Sequence, residues 1–196
     1  MELIKDFFKE LDRLWRPAPA EKIPLQIIGS AALMLQAGYE RGTKDSDILE
    51  TAALIGPVGE KLLSLAGKNS GLSKRYGIYL DIVGSGIPFL PIKPVFNALP
   101  VFGGLKNFKI TALDITDVAV SKLKRFTSND AADIRAVVEK GLLNPGLLVS
   151  RFRAAVDAYS TDARAEDLPR YINNLHTVER DFLEVDESEI ELPGWM

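Results

Sequence analysis

Apolar residues recur at intervals of three and four along the first fifteen positions. The apolar stripe consists of Leu3, Ile4, Phe7, Phe8, Leu11, Leu14 and Trp15. This spacing is typical of an amphipathic helix, so we predict a helix over residues 2–15 that packs on a core; a partner-binding helix is the alternative. The proline-containing segment 16–20 ends this helix and forms a stiff connector.

Short apolar runs then alternate with turn residues before the pattern becomes helical near Thr116. We predict strands at 24–28, 45–49, 78–83 and 108–112, and helices at 30–37, 58–65, 72–76, 116–126, 127–140, 145–159 and 168–183. The segment Val95–Val101 is too mixed to assign. The pattern predicts an α+β (α/β) fold, with a mixed sheet flanked by helices in residues 1–114, a helical region in 115–184 and an acidic tail in 185–196.

The stretch Ile27–Leu49 carries the first candidate chemistry. An apolar strand ends at Gly29-Ser30, where glycine permits a close turn and Ser30 can cap the next helix, leaving N–H groups directed at an anion. The next strand carries Asp45 and Asp47. Because side chains alternate across a strand, these carboxylates share one face, and a hard divalent cation such as Mg²⁺ relieves their repulsion.

Asp81 is the anomaly of the strand 78–83, which is otherwise apolar and aromatic. A carboxylate there requires compensation for its desolvation. One interpretation is an aspartate at a strand end that reaches a backbone N–H or an arginine. The other is a third ligand beside Asp45 and Asp47 that completes a site for two metal ions.

Composition narrows the function classes. The chain has 196 residues, 46% of them hydrophobic, and no cysteine, which excludes disulfides, zinc–thiolate sites and thiol nucleophiles. We find no signal peptide or membrane span and expect a cytoplasmic protein with no membrane partner. The net charge is −3, but residues 181–196 contain six acidic and no basic residues, so the remainder carries +3. A mildly basic body leaves room for a polyanionic substrate.

Four ordered features together resemble the polymerase-β-type nucleotidyltransferase superfamily, and more narrowly its AbiEii-like branch of toxin–antitoxin and abortive-infection proteins. They are the Gly29-Ser30 turn, the segment Arg41-Gly42-Thr43-Lys44-Asp45-Ser46-Asp47, the later Asp81, and the downstream pair Lys122-Leu123-x-Arg125 and Asp130-x-x-Asp133. The resemblance spans residues 24–140. It implies a nucleotidyltransferase-type sheet and transfer of an NMP from an NTP to an acceptor hydroxyl on tRNA, a protein or a small molecule.

The resemblance also implies roles for individual residues. Asp45 and Asp47 would hold two Mg²⁺ ions, while Asp81 would bind one of them and help to deprotonate the acceptor. Nucleotide contacts would come from Gly29, Ser30, Arg41, Thr43 and Lys122. Asp130 would be an active-site carboxylate or would orient Lys122. Both downstream residues also have structural explanations, since cations suit a helix C-terminus and Thr127 and Asp130 have capping-box spacing.

Two further function classes stay open. A catalytically silent nucleotide-binding module could act through a protein partner such as an antitoxin, and the acidic tail and first helix motivate this alternative. Retention of three candidate carboxylates argues against it, since a silent site has no need of repelling charges. A metal-dependent phosphohydrolase uses similar carboxylates but commonly recruits His or Asn ligands that we do not find.

Overall fold

The first helix, α1 (Glu2–Leu14), shows how the apolar pattern directs the fold. The structure, a computed structural model, describes residues 2–38, 45–159 and 163–192, with Asp45, Ala163 and Arg164 described by their backbone alone. The helix buries Ile4, Phe7, Phe8 and Leu11, and Trp15 after it is also buried, whereas Leu3 and Leu14 of the predicted stripe are exposed. Full burial of each such side chain contributes about 1.5–3 kcal/mol.

A five-stranded sheet lies at the centre of the first part of the chain. Its strands are β1 (Ile23–Ile27), β2 (Asp45–Leu49), β3 (Tyr79–Val83), β4 (Phe96–Ala98) and β5 (Phe108–Leu113), in the order β3-β2-β1-β5-β4. The pairs β1–β5 and β2–β3 are parallel, whereas β1–β2 and β4–β5 are antiparallel. This mixed α+β architecture, with helices around the sheet and a helical C-terminal region, confirms the predicted fold class.

One face of the sheet is apolar and packed. Its paired positions carry Ile23, Leu25 and Ile27 on β1, Phe108, Ile110 and Ala112 on β5, and Ile48 on β2. The ring of Trp15, which follows α1, lies 5.1 Å from the ring of Phe108. On the same face, a Cβ added to Gly59 would lie 3.3 Å from the Cδ1 of Ile82. Buried Ser46 of β2 also lies on this face, whereas strand alternation assigns Asp47 and Asp81 to the opposite one.

Three further helices belong to the sheet region. They are α2 (Gly29–Ala37), α3 (Pro57–Ala66) and α4 (Gly71–Tyr76), accompanied by 3₁₀ turns at Ala52–Leu54 and Pro100–Phe102. Gly38 ends α2 in the left-handed conformation with φ of 59°, which glycine adopts without steric cost. The three α-helices agree with the sequence pattern within a residue or two, the 3₁₀ turns were not predicted, and β4 occupies the segment that the pattern left unassigned.

The helical part of the chain contains α5 (Ile115–Leu123), α6 (Ser128–Glu139), α7 (Pro145–Tyr159) and α8 (Leu168–Asp181), with a 3₁₀ helix at Ala163–Asp167. The chain divides into two compact units, Met1–Ile87 with Phe96–Leu113, and Pro88–Val95 with Asp114–Met196. In the second unit, buried Asp117 accepts hydrogen bonds from the Arg151 guanidinium at 2.7 and 2.6 Å and from the Val95 N–H at 2.8 Å. This contact attaches the segment 88–95 to the helices.

The start of α5 differs from the prediction. The sequence pattern becomes helical at Thr116, itself a possible N-cap, but α5 begins at Ile115 and Asp114 caps it, with its carboxylate accepting the Thr116 N–H at 2.9 Å. Both residue types are good caps, so the sequence alone does not separate the two positions.

The acidic segment after α8 contacts the helical unit. Its Glu189 carbonyl accepts from Arg153 at 2.8 Å, the Glu187 carboxylate lies 2.7 Å from Arg180, and the Ser188 N–H donates to buried Glu179 at 3.1 Å. Among the helices that the structure describes, none has the length and apolar content needed to cross a bilayer.

Candidate active site

Asp47 and Asp81 occupy neighbouring positions on the two parallel strands β2 and β3. They are direct Cα partners in the strand register. Residues at paired positions of adjacent strands project from the same face, so the two carboxylate-bearing side chains lie on one face of the sheet. The register therefore brings together two aspartates that are 34 positions apart in the sequence.

At Asp47 and Asp81 this face is more exposed than the opposite one. Along β2 and β3, buried Ser46, Ile48 and Leu80 alternate with half-buried Asp47 and exposed Asp81. Two like charges at paired positions destabilise a sheet, and an accessible divalent cation would relieve that repulsion. The arrangement is one that carboxylate ligands of Mg²⁺ could adopt.

Asp45 begins β2 and is the Cα partner of Tyr79. Strand alternation assigns it to the same face as Asp47, but its side chain lies outside the described part of the structure, and so do Arg41 and Thr43. Among the described side chains, no group of three His, Cys, Asp or Glu residues could hold a metal ion. The three-carboxylate site therefore stays a prediction.

Gly29 lies directly against the carboxylate of Asp47. Its φ is +64°, and a Cβ added to it would lie 3.2 Å from Asp47 Oδ2. The Ile28 N–H donates to the Asp47 carbonyl at 2.9 Å. This backbone hydrogen bond fixes the start of the Gly29 turn against β2. The glycine therefore serves two purposes, since it adopts a left-handed conformation and leaves space beside the carboxylate.

The helix α2 begins at this turn, but Ser30 does not cap it. The N-cap residue is Ile28, and Ser30 lies in the first turn of the helix. The expected capping role of Ser30 is therefore wrong. An isoleucine side chain has no acceptor for the first N–H groups, and a helix N-terminus of this kind is suited to an anion.

Lys122 and Asp130, the two downstream candidates, contact one another in the helical unit. Lys122 is only 4% exposed, and its Nζ lies 3.1 Å from Asp130 Oδ1 and 2.7 Å from Asp133 Oδ2. Both carboxylates are buried. The resemblance implied that Asp130 is either an active-site carboxylate or a group that orients Lys122. The contact with Lys122 is the one that the second role requires.

Asp130 also completes the capping box of α6. The Thr127 side chain accepts from the Asp130 N–H, and the Asp130 carboxylate accepts from the Thr127 N–H at 3.2 Å. Burial acts to raise the pKa of Asp130, but the Thr127 hydrogen bonds and the charges of Lys122 and Arg125 outweigh it and lower the pKa below its usual value. Asp130 is therefore an ionised carboxylate within a structural network.

Two parts of these arrangements were given no role by the sequence analysis. Asp133 lies one helical turn after Asp130 and shares the Lys122 ammonium. The Asp-x-x-Asp spacing could have indicated that the two carboxylates share a helix face, but not that Lys122 lies between them. Tyr79 joins the carboxylate face as the partner of Asp45, and only the pairing of β2 with β3 reveals this.

Comparison with known proteins identifies the family of the chain. Searches of the curated proteins and of the solved structures each find no significant match. A family model covers residues 3–183, which include the sheet, the Gly29 turn, both aspartate pairs and all of the described helices apart from Glu2, the first residue of α1. The chain belongs to this family, DUF6036, described as a nucleotidyltransferase of unknown function.

Proposed function

We propose that this protein is a Mg²⁺-dependent nucleotidyltransferase that moves an NMP from an NTP to an acceptor hydroxyl. The observation that carries the proposal is the pairing of Asp47 with Asp81 on β2 and β3, beside the Gly29 turn. Membership of a nucleotidyltransferase family supports it. The resemblance to the AbiEii-like branch adds the toxin component of a toxin–antitoxin system as a candidate role.

The residues at this face suit Mg²⁺. Asp47 and Asp81 offer hard carboxylate oxygens at adjacent, solvent-accessible positions, and Asp45 would join them from the same strand. Mg²⁺ is bound in proteins by one or two carboxylates together with substrate phosphates. Bound there, the two expected ions would neutralise the charge that develops on the reacting phosphates.

The chain's own groups would perform the remaining tasks. The first N–H groups of α2, with Ser30, would hold the terminal phosphates, and Arg41 and Thr43 would add contacts from the chain between α2 and β2. Asp81, the more exposed of the two paired aspartates, would accept the proton of the acceptor hydroxyl. That oxygen then attacks the α-phosphorus, the bond to the β-phosphate oxygen breaks, and pyrophosphate leaves.

Lys122 is our candidate for a further triphosphate contact. This role rests on the resemblance alone, because the structure gives the Lys122 ammonium two buried carboxylate partners, Asp130 and Asp133. If Lys122 instead serves stability alone, its replacement will leave NTP affinity unchanged in the fraction of protein that remains folded.

The acceptor is proposed as tRNA, another protein or a small molecule.

The rival view, a silent nucleotide-binding module with a protein partner, was motivated by α1 and the acidic tail. Within the described residues, α1 buries Ile4, Phe7, Phe8 and Leu11 in the core, and the tail contacts Arg153 and Arg180. Both features thus have partners inside the chain, which favours the enzyme.

A transfer assay tests the proposal. Purified protein is incubated with Mg²⁺, each α-labelled NTP in turn and total tRNA, a protein extract or small hydroxyl acceptors. We expect labelled product, and we expect Asp47→Asn to reduce its rate at least about a hundredfold, since transition-state contacts of this kind contribute 10²–10³ in rate.

The matched control is Glu60→Gln, which neutralises an exposed carboxylate on α3 and should leave the rate unchanged. Binding of NTP without transfer to any acceptor would favour the silent module. Equal activity of Asp47→Asn and the wild type would remove Asp47 from the mechanism.

A further inference from the structure

Tyr79 extends the row of residues on the carboxylate face. It begins β3, pairs with Asp45 and precedes Asp81 by two positions. Strand alternation therefore directs its side chain to the same face as the side chain of Asp81. Tyr79 is half-buried, so part of the side chain remains accessible to a ligand.

Lys68 adds a positive charge at the outer edge of this strand. The preceding residue, Gly67, forms a parallel bridge with Leu80, which brings the turn after α3 alongside β3. The Lys68 Nζ lies over the Tyr79 ring, 6.0 Å from its centroid, at the limit of a cation–π contact. Lys68 is exposed, so its ammonium is also accessible to an anionic ligand.

These positions suit the nucleoside end of a nucleotide. Two residues along a strand span about 7 Å, so Tyr79 lies about that far from the Asp47–Asp81 pair. A nucleobase is separated from its phosphates by the ribose, a distance of similar size. An aromatic ring stacks on any base through its π face, and a lysine ammonium attracts phosphates.

We propose that Tyr79 is the stacking surface for the base of the substrate NTP and that Lys68 holds the ring from one side and draws the triphosphate toward the carboxylate face. This inference rests on the proposed function, because it takes an NTP as the ligand of that face. It makes Tyr79 a contact that recognises the nucleoside, distinct from the groups that bind phosphates.

The experiment compares two probes, an NTP and inorganic tripolyphosphate, by calorimetric titration in the presence of Mg²⁺. Each of ATP, GTP, CTP and UTP is used in turn. For Tyr79→Leu we expect NTP affinity to fall about tenfold, the lower part of the range for loss of one stacked base, while tripolyphosphate affinity changes less than about twofold. Tyr79→Phe keeps the ring and should retain wild-type affinity for both.

Lys68→Met should lower the affinity for both probes about threefold or more, because both carry the triphosphate charge. Lys74→Met is its matched control, since Lys74 is an exposed lysine on α4, and it should change neither affinity. Thermal melting of each variant reports any general loss of structure.

Three results would overturn the inference. They are unchanged NTP affinity in Tyr79→Leu, an equal loss of affinity for both probes, and the absence of NTP binding to the wild-type protein. The transfer assay separates this inference from the proposed function. NTP binding that depends on Tyr79, without transfer to any acceptor, would support the stacking surface and contradict the transferase.

Discussion

Two pairs of aspartates in this chain have opposite surroundings. Asp130 and Asp133 lie buried in the helical unit, where the Lys122 ammonium is within 3.1 and 2.7 Å of them. Asp47 and Asp81 lie side by side on the sheet, one half-buried and the other exposed. The first pair shares the ammonium of a neighbouring side chain, whereas the second lies at an accessible surface of the sheet.

The difference separates residues that hold the fold from residues available for chemistry. Buried charges persist only with close partners, so the network around Lys122 has a structural explanation that is complete without a substrate. Adjacent carboxylates on an open face lower stability, which a protein tolerates where function requires it. Variants of the two pairs should therefore differ in which property they change.

The largest effect on stability is expected for Lys122→Met. It leaves two buried carboxylates without their ammonium, and breaking a buried ion pair in this way costs about 3–5 kcal/mol. Denaturant unfolding followed by circular dichroism measures the change. Lys140→Met, which removes an exposed lysine at the end of α6, is the control and should change the unfolding free energy by less than about 0.5 kcal/mol. Comparable stability of the two variants would contradict the role given to Lys122.

A smaller effect on stability is expected for Gly29→Ala. A left-handed conformation costs a residue with a Cβ about 1–2 kcal/mol, and here the new Cβ would also lie 3.2 Å from Asp47 Oδ2. Gly77→Ala is the matched control, because Gly77 has φ of +68° and open space around its Cβ position. Both variants should lose similar stability, but only Gly29→Ala should slow NMP transfer. Equal transfer rates in the two variants would show that Gly29 does not position Asp47.

The smallest effect concerns acid stability and Asp130. Burial acts to raise the folded pKa of Asp130, but Thr127, Lys122 and Arg125 stabilise the carboxylate and lower the pKa below its ordinary value. Its contribution is present above the unfolded pKa and is lost as pH falls through the folded pKa. Unfolding free energies of the wild type and Asp130→Asn should therefore differ near neutral pH and converge below about pH 4. A difference that stays constant down to about pH 2 would contradict this account.

The elements with a local signal could be predicted from the sequence. The stripe of Ile4, Phe7, Phe8 and Leu11 specifies α1, and the Thr127/Asp130 spacing specifies the start of α6, because each depends on residues three or four positions apart. The strand β4 could not be assigned, since it has only three residues and is held by antiparallel pairing with β5. Its stability derives from a partner distant in the sequence.

In the candidate site too, only the relations between residues close in the sequence could be predicted. Strand alternation alone relates Asp45 to Asp47, but nothing local relates either of them to Asp81 or Tyr79. Those relations depend on the parallel pairing of β2 with β3, a contact between segments separated by α3 and α4. The carboxylate of Asp130 was recognisable as a cap, whereas its shared ammonium with Asp133 required the folded arrangement of α5 and α6.

The central claim is that Asp47 and Asp81 hold a divalent cation together. Mn²⁺ is the probe, since carboxylate sites bind it as they bind Mg²⁺, and electron paramagnetic resonance measures its free concentration during titration of the wild type, Asp47→Asn and Asp81→Asn. We expect the wild type to bind Mn²⁺ and each variant to bind it at least about tenfold more weakly, with unfolding free energies within about 0.5 kcal/mol of the wild type. Wild-type Mn²⁺ affinity in folded Asp81→Asn would contradict the claim.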